Sequence, residues 1–135
     1  MFAGASPSDA RSRASAPALA PIRVRGGIAA RFSHHGGSTR LTDLAESGGY
    51  RLKFPRTHAS YVEATQLNTG GGVVGGDRIG CGLKLDAGAD VVFTTQAAER
   101  IYRSIGPAAC IDAHIDIAAG SRLDWLPQET ILFSG

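Results

Sequence analysis

Long apolar runs, paired cysteine motifs and an excess of one charge are all missing from this 135-residue sequence. No window reaches the roughly 20 consecutive apolar residues of a transmembrane helix, so we expect no membrane span. Lys and Arg number 14 against 12 Asp and Glu, without a basic stripe, which argues against nucleic-acid binding. The two cysteines, Cys81 and Cys110, form no C-x-x-C motif. We therefore expect no structural zinc site and predict reduced thiols in a cytoplasmic protein.

The first 21 residues differ in composition from the rest of the chain. They combine Ala, Ser, Pro and Arg with one acidic residue, Asp9, and few large side chains that would offset the entropy of ordering. We predict a disordered tail over residues 1–21. An organelle transit peptide is the alternative, but three prolines oppose the amphipathic helix that such a leader forms.

Glycine is abundant, at 18 residues, and it divides residues 22–135 into short apolar segments about ten residues apart. This spacing is typical of successive β-strands, and the length supports one mainly β domain. The predicted strands are 28–33, 50–54, 61–67, 79–85, 91–95, 110–117, 123–126 and 131–133.

Two short segments have a composition that permits helix. One or two helical turns are predicted over residues 39–46, because Leu41 and Leu44 share a helical face. Residues 97–102 also tolerate helix, but they are too short for a helix to be predicted there. The domain is therefore expected to contain little helix.

A repeat links two pairs of predicted strands. Residues 83–96 align without a gap on residues 115–128, 32 positions later. Each copy reads as a strand, a turn containing Ala-Gly, a second strand with an aromatic residue, and then Gln. Because such a unit cannot bury its apolar face alone, the repeat predicts stacked antiparallel or irregular β layers, as in a solenoid or a sandwich. A coincidental match between two hairpins is the alternative.

Five of the seven residues at positions 70–76 are glycine, and residues 70–75 formally match the dinucleotide-binding motif G-x-G-x-x-G. That motif requires a helix after its last glycine, whereas the alternation over residues 79–85 predicts a strand. We therefore predict a loop that ends at Asp77, in which glycine permits positive φ or the close approach of another segment. Its structural glycines are Gly71, Gly72, Gly75 and Gly76.

The sequence offers little support for nucleophilic or metal-centred catalysis. Cys81 lies on the apolar side of a predicted strand, which favours a core thiol over a reactive one. His34 and His35 are adjacent and would point to opposite faces of a strand, so they are not expected to share a metal ion. No serine lies in a G-x-S-x-G motif. We predict that the protein is not an enzyme.

Three longer segments carry a family resemblance. They are LNTGGGVVGGD at 67–77, TTQAAERIYRS at 94–104 and WLPQETILF at 125–133. In this order they resemble the urease accessory protein UreD (UreH) family, and the similarity extends from about Ile28 to the last residue. The family's third motif continues into about as much sequence again, so the chain is similar to the N-terminal half of a UreD domain. Residues 22–135 are thus expected to form an incomplete β domain.

The resemblance implies a role in urease maturation. UreD proteins bind apo-urease and, with UreF and the GTPase UreG, help to insert nickel into the urease active site, and they are thought to carry nickel along an internal water-filled path. Single carboxylates are weak, exchangeable ligands, unlike clustered imidazoles or thiolates. Asp77, Glu99 and Glu129 are therefore hypotheses for path-lining residues, and an ordinary turn or surface carboxylate is the alternative for each. No tightly bound cofactor is expected, only transient nickel.

Partner binding adds three more candidates. Tyr and Arg are frequent at binding hot spots, so Arg100, Tyr102 and Arg103 are the predicted partner-binding residues. A small β-rich protein-binding module without metal delivery is the alternative function. If the family's remaining strands stack on residues 115–133, this chain alone has an apolar face in water, and we predict poor solubility.

Overall fold

The computed structural model describes residues 25–134, which form ten β-strands and no helix. The strands are β1 (Arg25–His35), β2 (Ser38–Ser47), β3 (Tyr50–Lys53), β4 (Val62–Asn68), β5 (Arg78–Leu85), β6 (Asp90–Thr95), β7 (Glu99–Tyr102), β8 (Cys110–Ile117), β9 (Arg122–Leu126) and β10 (Thr130–Phe133). A search of the same residues for a helix long and apolar enough to cross a membrane finds none. The predicted disordered tail, residues 1–21, lies outside the described residues.

Most of the strands belong to two four-stranded sheets. One sheet has the order β2-β1-β5-β8 and the other β3-β4-β6-β9, while β7 and β10 form a separate pair. Pairing is antiparallel in β1–β2 and β3–β4 and parallel between the other paired strands. Phe32 and Leu83 of the first sheet share one buried core with Ala64 and Phe93 of the second. The predicted fold class, stacked β layers with little helix, is confirmed.

The 32-residue repeat corresponds to successive layers of these sheets. β8 pairs with β5 so that Ile115 lies beside Leu83, and β9 pairs with β6 at the same offset of 32 residues. The chain turns between layers at Gly88 and Gly120, which have φ values of 79° and 71°. Because β5 and β6 belong to different sheets, each unit is an arch between sheets. The alternative of two coincidental hairpins is therefore wrong.

The helical turns predicted for residues 39–46 are also wrong, because this segment belongs to β2. Leu41 and Leu44 are both half-buried against the core, as their apolar character demands. They lie three residues apart, which an unbroken strand would place on opposite faces. β2 contains a β-bulge opposite Arg31 and Phe32, and the extra residue brings both leucines to the same side. A bulged strand thus has the same apolar spacing as a helix.

Asp86 connects the first arch to β1. Its carboxylate accepts hydrogen bonds from the Ser33 hydroxyl and from Arg31 Nε, the latter at 3.1 Å. These two contacts, the serine first, lower the pKa of Asp86 below its ordinary value of 3.8. A carboxyl group with a depressed pKa in the folded state stabilises that state above its unfolded pKa, and the stabilisation is lost as the pH falls through the folded pKa.

We expect Asp86→Asn to lower the melting temperature at pH 7 and to have a smaller effect at about pH 3, because the stabilisation by the wild-type carboxylate is partly lost below the ordinary pKa of 3.8. Thermal unfolding followed by circular dichroism measures both values. Asp43→Asn on the exposed side of β2 is the matched control, and it should not show the same dependence on pH. An equal loss of stability by Asp86→Asn at both pH values would contradict the assignment.

Candidate functional site

The glycine loop, residues 70–76, joins β4 to β5 and lies against β7. The Val73 N–H donates to the Arg100 carbonyl at 2.7 Å, and the Tyr102 N–H donates to the Val73 carbonyl at 2.9 Å. On its other side β7 pairs with β10. Residues 97–102 therefore contain a strand, although their composition tolerates helix, because both neighbouring segments bond to their backbone.

Backbone geometry explains the glycines of this loop. Gly71, Gly72 and Gly76 have positive φ. Gly75 does not, but a Cβ atom at that position would overlap the hydroxyl of Ser104. The loop thus passes too close to the segment after β7 to carry a side chain there. A strand and not a helix follows the loop, which excludes the dinucleotide-binding interpretation.

Asp77 is buried at the end of the glycine loop, with 2% of its surface exposed. Its Oδ2 accepts the Val74 N–H at 2.9 Å, and its own N–H donates to the Val74 carbonyl at 3.1 Å. Its carbonyl accepts the N–H of Cys110 at 2.8 Å. Asp77 therefore closes the loop and connects it to the start of β8.

A hydrogen-bonded cluster of Tyr50, Asn68 and Glu99 lies beside the loop. Asn68 Nδ2 donates to Glu99 Oε1 at 2.7 Å and to Tyr50 Oη at 3.0 Å, while Asn68 Oδ1 accepts the Gly70 N–H at 2.9 Å. Burial, followed by the negative charges of Glu99 and Asp77, raises the pKa of Tyr50. Because both carboxylates act on one phenol, two of the three predicted acidic residues belong to the same electrostatic environment.

A cavity of about 140 Å³ lies between the two large sheets next to this cluster. Glu99 lines this cavity and also a neighbouring surface groove of about 190 Å³, and no other described residue lines both. The polar residues that line the cavity are Tyr50, Gln66, Thr95, Glu99, Gln128 and Thr130. Asp77 is not among the residues that line either space.

Glu129, the third predicted acid, has an exposed side chain, and its backbone carbonyl accepts the Glu99 N–H at 3.0 Å. Sequence reasoning missed the neutral polar residues Tyr50, Asn68 and Gln128. Two of them could have been found from the sequence, because Asn68 stands two residues before the glycine loop in the first motif and Gln128 ends the second copy of the repeat. Nothing in the sequence marks Tyr50 as more than a strand residue.

The three predicted partner-binding residues lie on the surface near β7. Arg100 and Arg103 are exposed. The Tyr102 ring, 40% exposed, stacks on Phe133 of β10 with 5.3 Å between the ring centroids. Tyr102 and Phe133 form an exposed aromatic pair in a region that also carries the exposed Arg100 and Arg103, a composition that is frequent at protein interfaces.

Cys81 is a core residue, as predicted. It is 8% exposed, and burial raises the pKa of its thiol to about 11, so it is neutral at physiological pH. Cys110 is exposed, and neither cysteine is in a disulfide. Within residues 25–134 no three His, Cys, Asp or Glu side chains are grouped so as to hold a metal ion.

The similarity to known proteins covers the residues that form this site. Residues 24–135 match the UreD urease accessory protein family. The chain belongs to this family. It is 51% identical over 100 residues to a urease accessory protein UreD from Methylobacterium sp. (strain 4-46), covering 74% of this chain and 36% of the relative. It is 48% identical over 130 residues to UreD 2 from Methylorubrum populi, covering 95% of this chain and 42% of the relative.

The UreD resemblance drawn from the three motifs is therefore confirmed. The chain spans well under half the length of these relatives and corresponds to the N-terminal portion of the family. The glycine loop, β7, β10 and the cavity between the sheets all lie within the UreD match.

Proposed function

We propose that this chain is a non-catalytic accessory protein of urease maturation, which binds apo-urease and acts with UreF and UreG to bring nickel to the urease active site. UreD membership over residues 24–135 supports this proposal, since the relatives are themselves named urease accessory proteins. Nickel is the cargo in this proposal and not a resident cofactor. The cytoplasmic location expected from the sequence stays a prediction.

The position of Glu99 is the observation on which the nickel role rests. Glu99 lines both the surface groove and the cavity between the sheets, and no other described residue does so. Asn68 Nδ2 holds one carboxylate oxygen at 2.7 Å, which orients the carboxylate. A single carboxylate among neutral oxygen ligands binds a divalent cation weakly enough to release it. Glu99 is thus suited to transfer nickel from groove to cavity.

Asp77 acts on the same nickel path through its negative charge and does not contact the metal ion directly. Its negative charge reaches Tyr50, which lines the cavity. Its carboxylate also closes the glycine loop, and Gly71 and Gly72 of that loop line the groove. We therefore propose that Asp77 shapes the groove and adds negative potential, which favours entry of a cation.

We expect Glu99→Gln to lower the nickel content of urease about tenfold without weakening the association with urease, because glutamine keeps the size of the side chain and removes its charge. The chain is joined to the C-terminal region of the Methylobacterium relative, and this joined protein is produced as the only UreD beside the urease subunits and the other accessory proteins. Urease is then purified, and its nickel content is measured by mass spectrometry. Glu129→Gln makes the same chemical change at an exposed position, and it should leave the nickel content unchanged.

Each outcome of this experiment has a distinct meaning. A normal nickel content with Glu99→Gln removes Glu99 from the path. Failure of the joined protein without substitutions to co-purify with urease and to support activation overturns the maturation role itself. Normal co-purification with no effect of either Glu99→Gln or Asp77→Asn favours the alternative, a β-rich protein-binding module that does not deliver metal.

A further inference from the structure

The strand pair β7–β10 forms a third side of the molecule, beside the two large sheets. Ile101 of β7 packs against the core. Because side chains alternate along a strand, its neighbours Arg100 and Tyr102 point outward. In the parallel pairing, Arg100 lies beside Ile131 and Tyr102 beside Phe133. Arg100, Tyr102, Ile131 and Phe133 therefore share one outward surface, which we call the β7–β10 face.

The β7–β10 face presents large apolar side chains to solvent. Tyr102, Ile131 and Phe133 are 40%, 41% and 45% exposed. The Tyr102 ring stacks on Phe133, and it also lies so close to the glycine loop that a Cβ atom at Gly72 would come within 2.5 Å of it. The ring is thus held in place while it is exposed. A side chain that is already ordered loses little entropy when a partner binds.

The turn after β7 extends this apolar surface. Val74, Arg103 and Ile105 are among the residues that line a surface groove of about 430 Å³ next to Tyr102. The Ser104 hydroxyl donates to the Pro107 carbonyl at 2.8 Å, which fixes the turn. Ile105 lies in this turn with 98% of its surface exposed. A second ordered apolar side chain therefore adjoins the β7–β10 face.

The β7–β10 face lies along the side of the stacked layers and not at their end. β7 follows β5 and β6 in one layer, and β10 follows β8 and β9 in the next, so the face crosses two layers. A further layer would continue the stack beyond β8, β9 and β10 and would leave the outward side chains of β7 uncovered. The exposure of this face is therefore a property of the side of the molecule.

Charge distinguishes this face from the outer faces of the two large sheets. Those faces mix both signs, since Lys84 is the register partner of Asp116 in one sheet and Arg122 pairs with Asp124 in the other. Within β7 and β10 the only outward charge is Arg100, which is exposed and forms no ion pair among residues 25–134. Arginine beside exposed aromatic rings is typical of binding hot spots. The complementary surface therefore offers apolar side chains and a carboxylate.

We propose that the β7–β10 face is a docking surface for a partner protein of urease maturation, and that this partner presents an apolar patch containing Asp or Glu. The inference rests on the proposed function, which requires protein partners, and it adds the side of the chain that binds one of them. In the complex a carboxylate of the partner lies on Arg100, and the partner covers Tyr102 and Ile105. A second copy of the same face carries Arg100 and no carboxylate, so it lacks the complementary charge.

Co-purification tests the proposal on the joined protein, with the urease subunits and UreF as separate probes. Arg100→Glu reverses the exposed charge and should lower the recovery of at least one probe about tenfold or more. Lys53→Glu makes the same reversal on exposed β3 and should leave both recoveries unchanged. Tyr102→Ala should lower the recovery of the same probe. Tyr61→Ala is its matched control, because Tyr61 is 36% exposed and Tyr102 is 40% exposed.

Thiol labelling distinguishes a partner protein from the rest of UreD as the occupant. Cys81 is buried, so Arg100→Cys together with Cys110→Ser gives one reactive thiol in the described part of the chain. It should react with a maleimide in the joined protein alone and should be protected by the bound probe. Protection before any probe is added means that the C-terminal region covers this face, which overturns the proposal.

The remaining outcomes separate this inference from the function on which it rests. Normal recovery of both probes with Arg100→Glu and with Tyr102→Ala overturns the docking surface and leaves the maturation role standing. If the joined protein without substitutions recovers neither probe, the maturation role is wrong and the docking surface falls with it.

Discussion

Replacing Phe93 with alanine is expected to lower the free energy of unfolding by about 3–5 kcal/mol. Phe93 lies in the centre of β6 with 1% of its surface exposed, and its ring stacks on Trp125 of the next layer. The substitution removes a whole aromatic ring and leaves a cavity between the sheets. It also leaves Trp125 without the ring that covers one of its faces.

Urea denaturation measures this loss. Trp125 is the only tryptophan of the chain, so its fluorescence reports on the boundary between the last two layers, and circular dichroism reports on the strands as a whole. Leu126→Ala is the control, because Leu126 is 58% exposed and its truncation should cost within about 0.5 kcal/mol. A loss for Phe93→Ala no larger than that of the control would show that Phe93 does not pack as described.

Gly27→Ala is the second substitution for which we expect a large effect. It should lower the free energy of unfolding by about 3 kcal/mol or more. Gly27 lies near the start of β1 with a φ of 146°, a conformation that alanine rarely adopts. A Cβ atom there would also overlap the carbonyl oxygen of Gly80 in β5. Backbone atoms cannot rotate out of the way as a flexible side chain can. The pairing of β1 with β5 must therefore open at this point.

Gly80→Ala provides a close control for this prediction. Gly80 is the register partner of Gly27, but a Cβ atom at position 80 would meet no atom within 4 Å. Alanine in a strand also loses less backbone entropy on folding than glycine, so the substitution should be neutral or should stabilise the fold by up to about 1 kcal/mol. Equal effects of the two substitutions in urea denaturation would contradict the close approach of β1 and β5.

The repeat shows how much of the fold can be predicted from the sequence alone. Residues 83–96 and 115–128 predicted two copies of one unit stacked in layers, and these copies do pair at the predicted offset. A repeat is readable because equivalent positions face the same surroundings and therefore select the same kinds of side chain. The sequence did not show that each unit crosses from one sheet to the other, because a turn containing glycine suits a hairpin and an arch equally well.

The segment over residues 39–46 shows where pattern reasoning fails. The spacing of Leu41 and Leu44 suits a helix, and only the pairing of β2 with β1 reveals the bulge that gives a strand the same spacing. Local sequence cannot report a bulge whose stability depends on a partner strand. Long-range hydrogen bonds therefore decided the secondary structure of this segment.

For the acids of the candidate site, too, one part of the result was predictable from the sequence and another part was not. The family resemblance and residue type together made Asp77, Glu99 and Glu129 hypotheses for path-lining residues, because single carboxylates suit the transient binding of nickel. Their environment was not predictable, since Tyr50, Asn68 and Glu99 come from β3, β4 and β7 and meet only through the order of the strands. Whether these acids form part of a nickel path stays a prediction.

By itself, the sequence determined that this is a β protein of repeated layers with a glycine loop, and its motifs pointed to the UreD family. These features depend on the local alternation of apolar and polar residues, on spacing and on residue type, and all three can be read directly from the sequence. The tertiary structure alone decided that Glu99 lines both the cavity and the groove, that Asp77 closes the loop, and that the apolar side chains of β8 and β9 are exposed. Each of these depends on contacts between strands that are distant in the sequence, and such contacts have no local signature.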